Sequence, residues 1–163
     1  MDIYLGSKCT FCISTHTGFD GIPLIFQKPI VYVLVPLANL VTHNENNLMI
    51  TKHHVHKKNK KELTISEIFS SNVALSVRGE EYELNDVELE ENSPKEIKDL
   101  VIEMDERLNE RWKDTKEDLL LQKRFWSIFE DRIKRLNYKK LLHGKIKARF
   151  GAKFLRENQN WIR

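Results

Sequence analysis

The sequence predicts an α/β fold: a partial parallel sheet with flanking helices and a helical C-terminal region. Three observations carry this reading. Residues 9–13 and Ile30–Val35 are continuously apolar and rich in β-formers, the composition of parallel strands covered on both faces. Between them lie a small polar turn containing Gly18 and room for one short helix, which together make a compact βαβ spacing. Beyond residue 93, apolar side chains recur at helical intervals.

Taken in order, residues 2–8 read as the end of a helix feeding a strand over residues 9–15. A short helix starts near Phe19, and Pro23 fits it only within its first turn, where a missing N–H costs little. The second strand opens after Pro29, and further strands are expected at 48–51 and 74–77. Lys52-His-His-Val-His-Lys-Lys-Asn-Lys-Lys61 reads as a solvated loop before a helix over 63–69, capped by Thr64 or Ser66 with Glu67 nearby. Ser93 and Pro94 open a helix with Glu96 in its first turn and the stripe Ile97, Leu100, Val101, Met104 and Leu108. A second helix from about Thr115 carries Leu121, Phe125, Ile128, Phe129, Ile133 and Leu136. A third, over 144–157, places Ile146, Phe150 and Phe154 four apart. Residues 1–110 are therefore expected to form the sheet domain and residues 111–163 a helical extension.

Ligands of parallel sheets bind beyond the carboxyl ends of the strands, so Ser14, Thr15, His16, Thr17, Gly18, Phe19 and Asp20 stand where a phosphate would sit. Helix-start amides and the Ser and Thr hydroxyls are donors suited to an oxyanion, and Gly18 admits positive φ and close approach. His16 is the one imidazole in the turn, able to meet a hydroxyl or phosphate or to move a proton. The same residues equally describe an ordinary strand-to-helix turn with Thr17 as N-cap.

The segment Ile13-Ser-Thr-His-Thr-Gly-Phe-Asp-Gly-Ile-Pro-Leu-Ile-Phe-Gln-Lys-Pro-Ile-Val-Tyr-Val33 resembles the donor-side motif of bacterial surface-carbohydrate glycosyltransferases of the GT-B type. Leu89-Glu-Glu-Asn-Ser-Pro-Lys-Glu-Ile97, Trp112-Lys-Asp-Thr115 and Ala148-Arg-Phe-Gly-Ala-Lys-Phe-Leu155 extend the resemblance over most of the chain. The resemblance implies the C-terminal, Rossmann-like donor domain, with Ser14 to Asp20 facing the diphosphate or sugar of a nucleotide diphosphate-sugar. It implies a surface polysaccharide or other glycan as acceptor, no bound cofactor or obligatory metal, and a general base supplied by an N-terminal domain. The place where many such enzymes carry a ribose-binding Glu is occupied here by Pro23. GT-B enzymes need two such domains, and 163 residues suit one. The expectation is therefore the C-terminal part of a longer enzyme, a truncated reading frame, or half of an enzyme completed by a separate chain or by self-association. The competing expectation is a non-catalytic remnant or protein-interaction module that keeps the fold.

Composition narrows the remaining classes. No run approaches the roughly 18 apolar residues of a membrane span, and the N-terminus lacks a secretory pattern. This points to the cytoplasm, with peripheral attachment at the inner face of the membrane as a variant. Cys9 and Cys12, three apart in an expected strand, face opposite sides and read as core thiols. His53, His54 and His56 match no familiar zinc spacing, although Lys52 or one of these imidazoles would reach a donor phosphate if the stretch borders the cleft. Charge is segmental: net +3 over residues 1–79, −10 over 80–118 and +10 over 119–163. Because apolar periodicity organises the basic tail, solvated helix faces explain it better than a nucleic-acid site, and no specific nucleic acid is expected.

Overall fold

The computed structural model describes residues 2–39, 46–71, 73–135 and 147–163. Helix α1 (Asp2–Lys8) leads to strand β1 (Cys12–Ser14), helix α2 (Gly21–Ile25) and strand β2 (Ile30–Val35). Strand β3 (Leu48–Thr51) runs almost directly into β4 (His53–His56), followed by helices α3 (Ile65–Ser70) and α4 (Gly79–Leu84). Strand β5 (Val87–Glu90) precedes the long helices α5 (Pro94–Leu108) and α6 (Lys116–Arg135), and β6 (Arg149–Phe150) and helix α7 (Ala152–Glu157) complete the order. The α/β class and the parallel sheet expected from sequence are both present.

The main sheet has the order β1-β2-β3-β6 with every neighbour parallel. Its central strands are closed to water, with Ile30, Val31, Leu48, Met49 and Ile50 fully buried, which is why they read as unbroken apolar runs. Helix α5 packs on β2 and β3, and α7 bridges α5 and α6. An aromatic cluster of Phe125, Phe129, Phe150, Phe154 and Trp161 ties the C-terminal elements into the same core as the sheet.

Four expectations need correction. The first strand begins at Cys12 rather than residue 9, because the Cys12 amide bonds to Pro29 O (3.0 Å), while the Cys9 amide still bonds back to Leu5 O. Both thiols are free and half-buried, and the Cys9 thiol donates to Gly6 O. The lysine- and histidine-rich stretch is no simple loop: β4 pairs antiparallel with β5, His54 opposite Leu89 and Val55 opposite Glu88, which buries His54 and Val55. Residues 74–77 form a turn, not a strand, since the Ser76 amide folds back to Val73 O and the Ser76 hydroxyl accepts from the Arg78 amide. The helix expected over 144–157 starts only at Ala152; Arg149 and Phe150 are strand, fixed by pairing with Leu48 and Met49. Leu136, Gly144 and Ile146 lie outside the described residues.

Helix boundaries follow local chemistry. Thr64 caps α3 and Ser93 caps α5, each in a reciprocal box with the glutamate three residues on, Glu67 and Glu96. Thr115 and Asp118 make the equivalent exchange at α6, Thr115 donating from its amide (2.9 Å) and hydroxyl (2.8 Å) to the Asp118 carboxylate.

Candidate functional site

The carboxyl edge of the parallel sheet is formed by Ser14, Val35, Thr51 and Phe150 with the segments that follow them. The turn after β1 is shaped by two inward-facing side chains. Ser14 is buried and its hydroxyl oxygen accepts from the His16 amide (3.0 Å), at a residue with φ +63°. Asp20 is buried and its Oδ1 accepts from the Gly18 amide (3.0 Å), where φ is +91°. These two bonds turn Thr15, His16, Thr17, Gly18 and Phe19 outward, and all five are exposed. A Cβ built at Gly18 meets no atom within 4 Å, so the space above the turn is open.

Thus the seven residues singled out in the sequence divide into two roles. Thr15, His16, Thr17, Gly18 and Phe19 present hydroxyls, an imidazole and backbone to solvent, while Ser14 and Asp20 hold the loop in shape. Tyr32, paired with Ser14 on β2, lies beneath the turn with its ring 5.7 Å from that of His16. Burial and the nearby Asp20 carboxylate push the Tyr32 hydroxyl above its ordinary range, so it stays protonated. The Cys12 thiol is also pushed up, chiefly by burial and then by Cys9 and Asp20.

The helix contributes less than its sequence suggests. It starts at Gly21, its N-cap is Asp20 rather than Thr17, and it is five residues long. The Gly21 and Ile22 amides already bond to Gly18 O (3.2 Å) and Phe19 O (3.0 Å). So short an element has a weak macrodipole, and charge stabilisation at this turn falls to side chains and loop amides. Pro23 does sit in the first turn and is buried.

Beyond the carboxyl end of β3, where the chain enters the two-stranded sheet of β4 and β5, lies a charged cluster that the sequence did not reveal. His53 Nδ1 lies 2.6 Å from Glu62 Oε1 and Nε2 2.9 Å from Glu96 Oε1. The hydrogen bonds to Glu62 and Glu96 raise the His53 pKa to about 10, so the ring is an imidazolium between two carboxylates. Next to it, His54 is fully buried; its Nδ1 takes Lys52 O (3.1 Å) as partner, its Nε2 has none, and burial lowers its pKa to about 4. Lys52 reaches Glu91 (3.5 Å). Of the side chains that would reach a donor phosphate if this stretch bordered the cleft, Lys52 and His53 face carboxylates and His54 is buried.

Asn92 also escaped notice. Its Oδ1 accepts from the Leu34 amide (3.0 Å) and its Nδ2 donates to Thr51 O (2.7 Å), stitching the ends of β2 and β3 where Leu34 takes φ +57° and the register shifts. The signal was its place just before the Ser93-Pro94 helix start. A small cavity between α5 and α7, lined by Glu96, Asp99, Glu103 and Lys153, lies among ion pairs and away from the turn. Among the described residues no group of three or more His, Cys, Asp or Glu side chains is placed to hold a metal ion, and no helix is long and apolar enough to cross a membrane. No protein-family model, curated protein or solved structure matches the chain.

Proposed function

We propose that this chain is the nucleotide-sugar donor-binding part of a glycosyltransferase that transfers a sugar to a surface polysaccharide or another glycan acceptor. The observation that carries the reading is the outward turn from Thr15 to Phe19 at the carboxyl end of β1, open above Gly18 and braced by Ser14 and Asp20. In this reading the Thr15 and Thr17 hydroxyls donate to phosphate oxygens, and His16 meets a phosphate or sugar hydroxyl. They stabilise the departing nucleoside diphosphate as negative charge develops on it. The general base comes from a further domain, so the chain alone binds the donor without completing transfer. In this reading the chain acts in the cytoplasm, with peripheral attachment at the inner face of the membrane as a variant.

Calorimetric titration with UDP, GDP, CDP and their common sugar conjugates tests this. One nucleotide should bind, with affinity at least tenfold weaker in Thr17→Ala and in Gly18→Val, whose branched side chain is strained at φ +91°. A folded chain that binds none of them would favour a second reading, a protein-interaction module with a Rossmann-like fold. The observation on that side is the set of exposed apolar residues around β1.

A further inference from the structure

Cys9 and Cys12 are the only cysteines of the chain, and both are free and half-buried. In an extended strand, residues three apart stand about 10 Å from each other, beyond the ~6.8 Å that the Cα atoms of a disulfide span at most. The fold removes that obstacle. Cys9 still belongs to the last turn of α1, since its amide bonds to Leu5 O (2.9 Å), and the strand starts only at Cys12, whose amide bonds to Pro29 O (3.0 Å). Between them the chain bends at Thr10. A helical turn at one end and a bend in the middle bring the two Cα atoms well inside the extended separation.

The side chains agree with the backbone. Burial first, then Cys9 and then Asp20, push the Cys12 thiol above its ordinary range. For one thiol to feel the charge of the other, the two sulfurs must be neighbours. Each thiol donates only to a main-chain carbonyl, Cys9 to Gly6 O at 3.3 Å and Cys12 to Ile13 O at 3.5 Å. An S–H group is a weak donor, so neither bond holds its sulfur against a covalent alternative. Lys8 and Thr10, which flank Cys9, are exposed and leave a small oxidant a way in.

We propose that Cys9 and Cys12 close into a reversible disulfide by exchange with a low-molecular-weight disulfide such as oxidised glutathione, which makes the junction of α1 and β1 a redox-sensitive modification site. The Cys9 thiolate attacks one glutathione sulfur, and the first glutathione leaves as its thiolate. Cys12 then gives up its proton and attacks the Cys9 sulfur, and the second glutathione leaves. Two protein S–H bonds and one glutathione S–S bond are broken, one protein S–S bond and two glutathione S–H bonds are made, and two electrons pass to glutathione. Attack begins at Cys9 because burial and the Asp20 carboxylate keep Cys12 protonated. Closure fastens α1 to the start of the sheet. Without it the one buried residue of that helix is Gly6, seated so closely that a Cβ would lie 2.6 Å from Ile22 Cγ2. Pairs that open and close in a reducing compartment serve sensing rather than architecture.

The test is mass spectrometry of the whole chain after equilibration with mixtures of reduced and oxidised glutathione, acid quenching and alkylation. As the mixture becomes oxidising, a species that takes up no alkyl group should appear, its peptide map should join Cys9 to Cys12, and dithiothreitol should reverse it. Any C-x-x-C segment closes to some extent when unfolded, so the same equilibrium is measured in concentrated urea; the folded chain should favour the disulfide at least tenfold more. Cys12→Ser, with an unchanged circular dichroism spectrum, should stop at the glutathione mixed disulfide of Cys9. Oxidation should slow hydrogen exchange at the α1 amides of the parent chain. Thiols that stay open to alkylation across the series would overturn the proposal. So would mixed disulfides that never close, or a folded-state constant no larger than that in urea. Nucleotide binding enters none of these readouts, so the thiol pair and the donor site are judged separately.

Discussion

Two adjacent histidines on β4 experience opposite fields. His53 is an imidazolium between Glu62 and Glu96 with its pKa raised to about 10, whereas burial holds His54 neutral with its pKa lowered to about 4. A raised folded-state pKa stabilises the fold fully below the unfolded value of about 6.5, and this stabilisation is lost as pH rises through about 10. A lowered one stabilises the fold above about 6.5 and is lost as pH falls through about 4. Urea midpoints of His53→Gln should therefore lie well below those of the parent at pH 6.5 and converge with them above pH 10. His54→Phe should flatten the acid limb between pH 6.5 and 4.5. Parallel pH profiles for parent and variants would contradict both assignments. Neither assignment was legible in the sequence, because Glu62 and Glu96 come from segments 9 and 43 residues away. By contrast, Thr64 and Ser93 were readable as caps, since their partners Glu67 and Glu96 lie three residues on.

Among the elements, the two unbroken apolar strands and the capped helices matched expectation, whereas β5, β6, helix α4 and the turn at residues 74–77 did not. Ile30–Val35 and Leu48–Thr51 are buried on both faces, so their apolar runs were sufficient. Strand β5 was missed although Val87-Glu-Leu-Glu90 alternates with period two, because its partner is a histidine-rich strand that looks polar. Strand β6 was hidden within a helical spacing of aromatics: Phe150 and Phe154 do share a cluster, but across a strand and a helix joined at Gly151. Gly151 is needed for the close approach of that junction to α5 and β3, since a Cβ would stand 2.7 Å from Leu100 Cδ1 and 3.1 Å from Ile50 Cγ2. Gly151→Ala should cost about 1–3 kcal/mol of unfolding free energy by overpacking. Equal stability in denaturant would show that α7 can shift aside without loss.

At the scale of the molecule, the segmental charge seen in the sequence is answered in part within the fold. The acidic segment faces the basic hairpin through Lys52–Glu91, Lys57–Glu83, Lys58–Asp86 and Lys60–Glu88. It meets the C-terminal basic residues through Arg149–Asp114, Lys153–Asp99 and Arg156–Asp118. Most of these pairs are exposed and individually weak. Asp118 differs: it is 1 % exposed, accepts from Thr115 and Arg156, and is held below the usual carboxylate range by those bonds against the cost of burial. Asp118→Asn should lower stability by about 2–4 kcal/mol, because an amide nitrogen would face a donor and Arg156 would lose its counter-charge. A midpoint unchanged in urea would mean that the Asp118 pair adds no net stability.

The sheet order carries a kinetic consequence. Met49 pairs with Phe150, and the Ile65 amide bonds to Trp161 O, so β3 and α3 remain unfinished until chain about a hundred residues away arrives. Such distant closures delay the reward for ordering the backbone, and topologies rich in them fold in milliseconds to seconds. Helices α5 and α6, capped locally and carrying their own apolar stripes, are placed to form first. Until Phe150 docks, Leu48, Met49 and Ile50 stand in water as an open strand, and in that interval the chain is most vulnerable to aggregation.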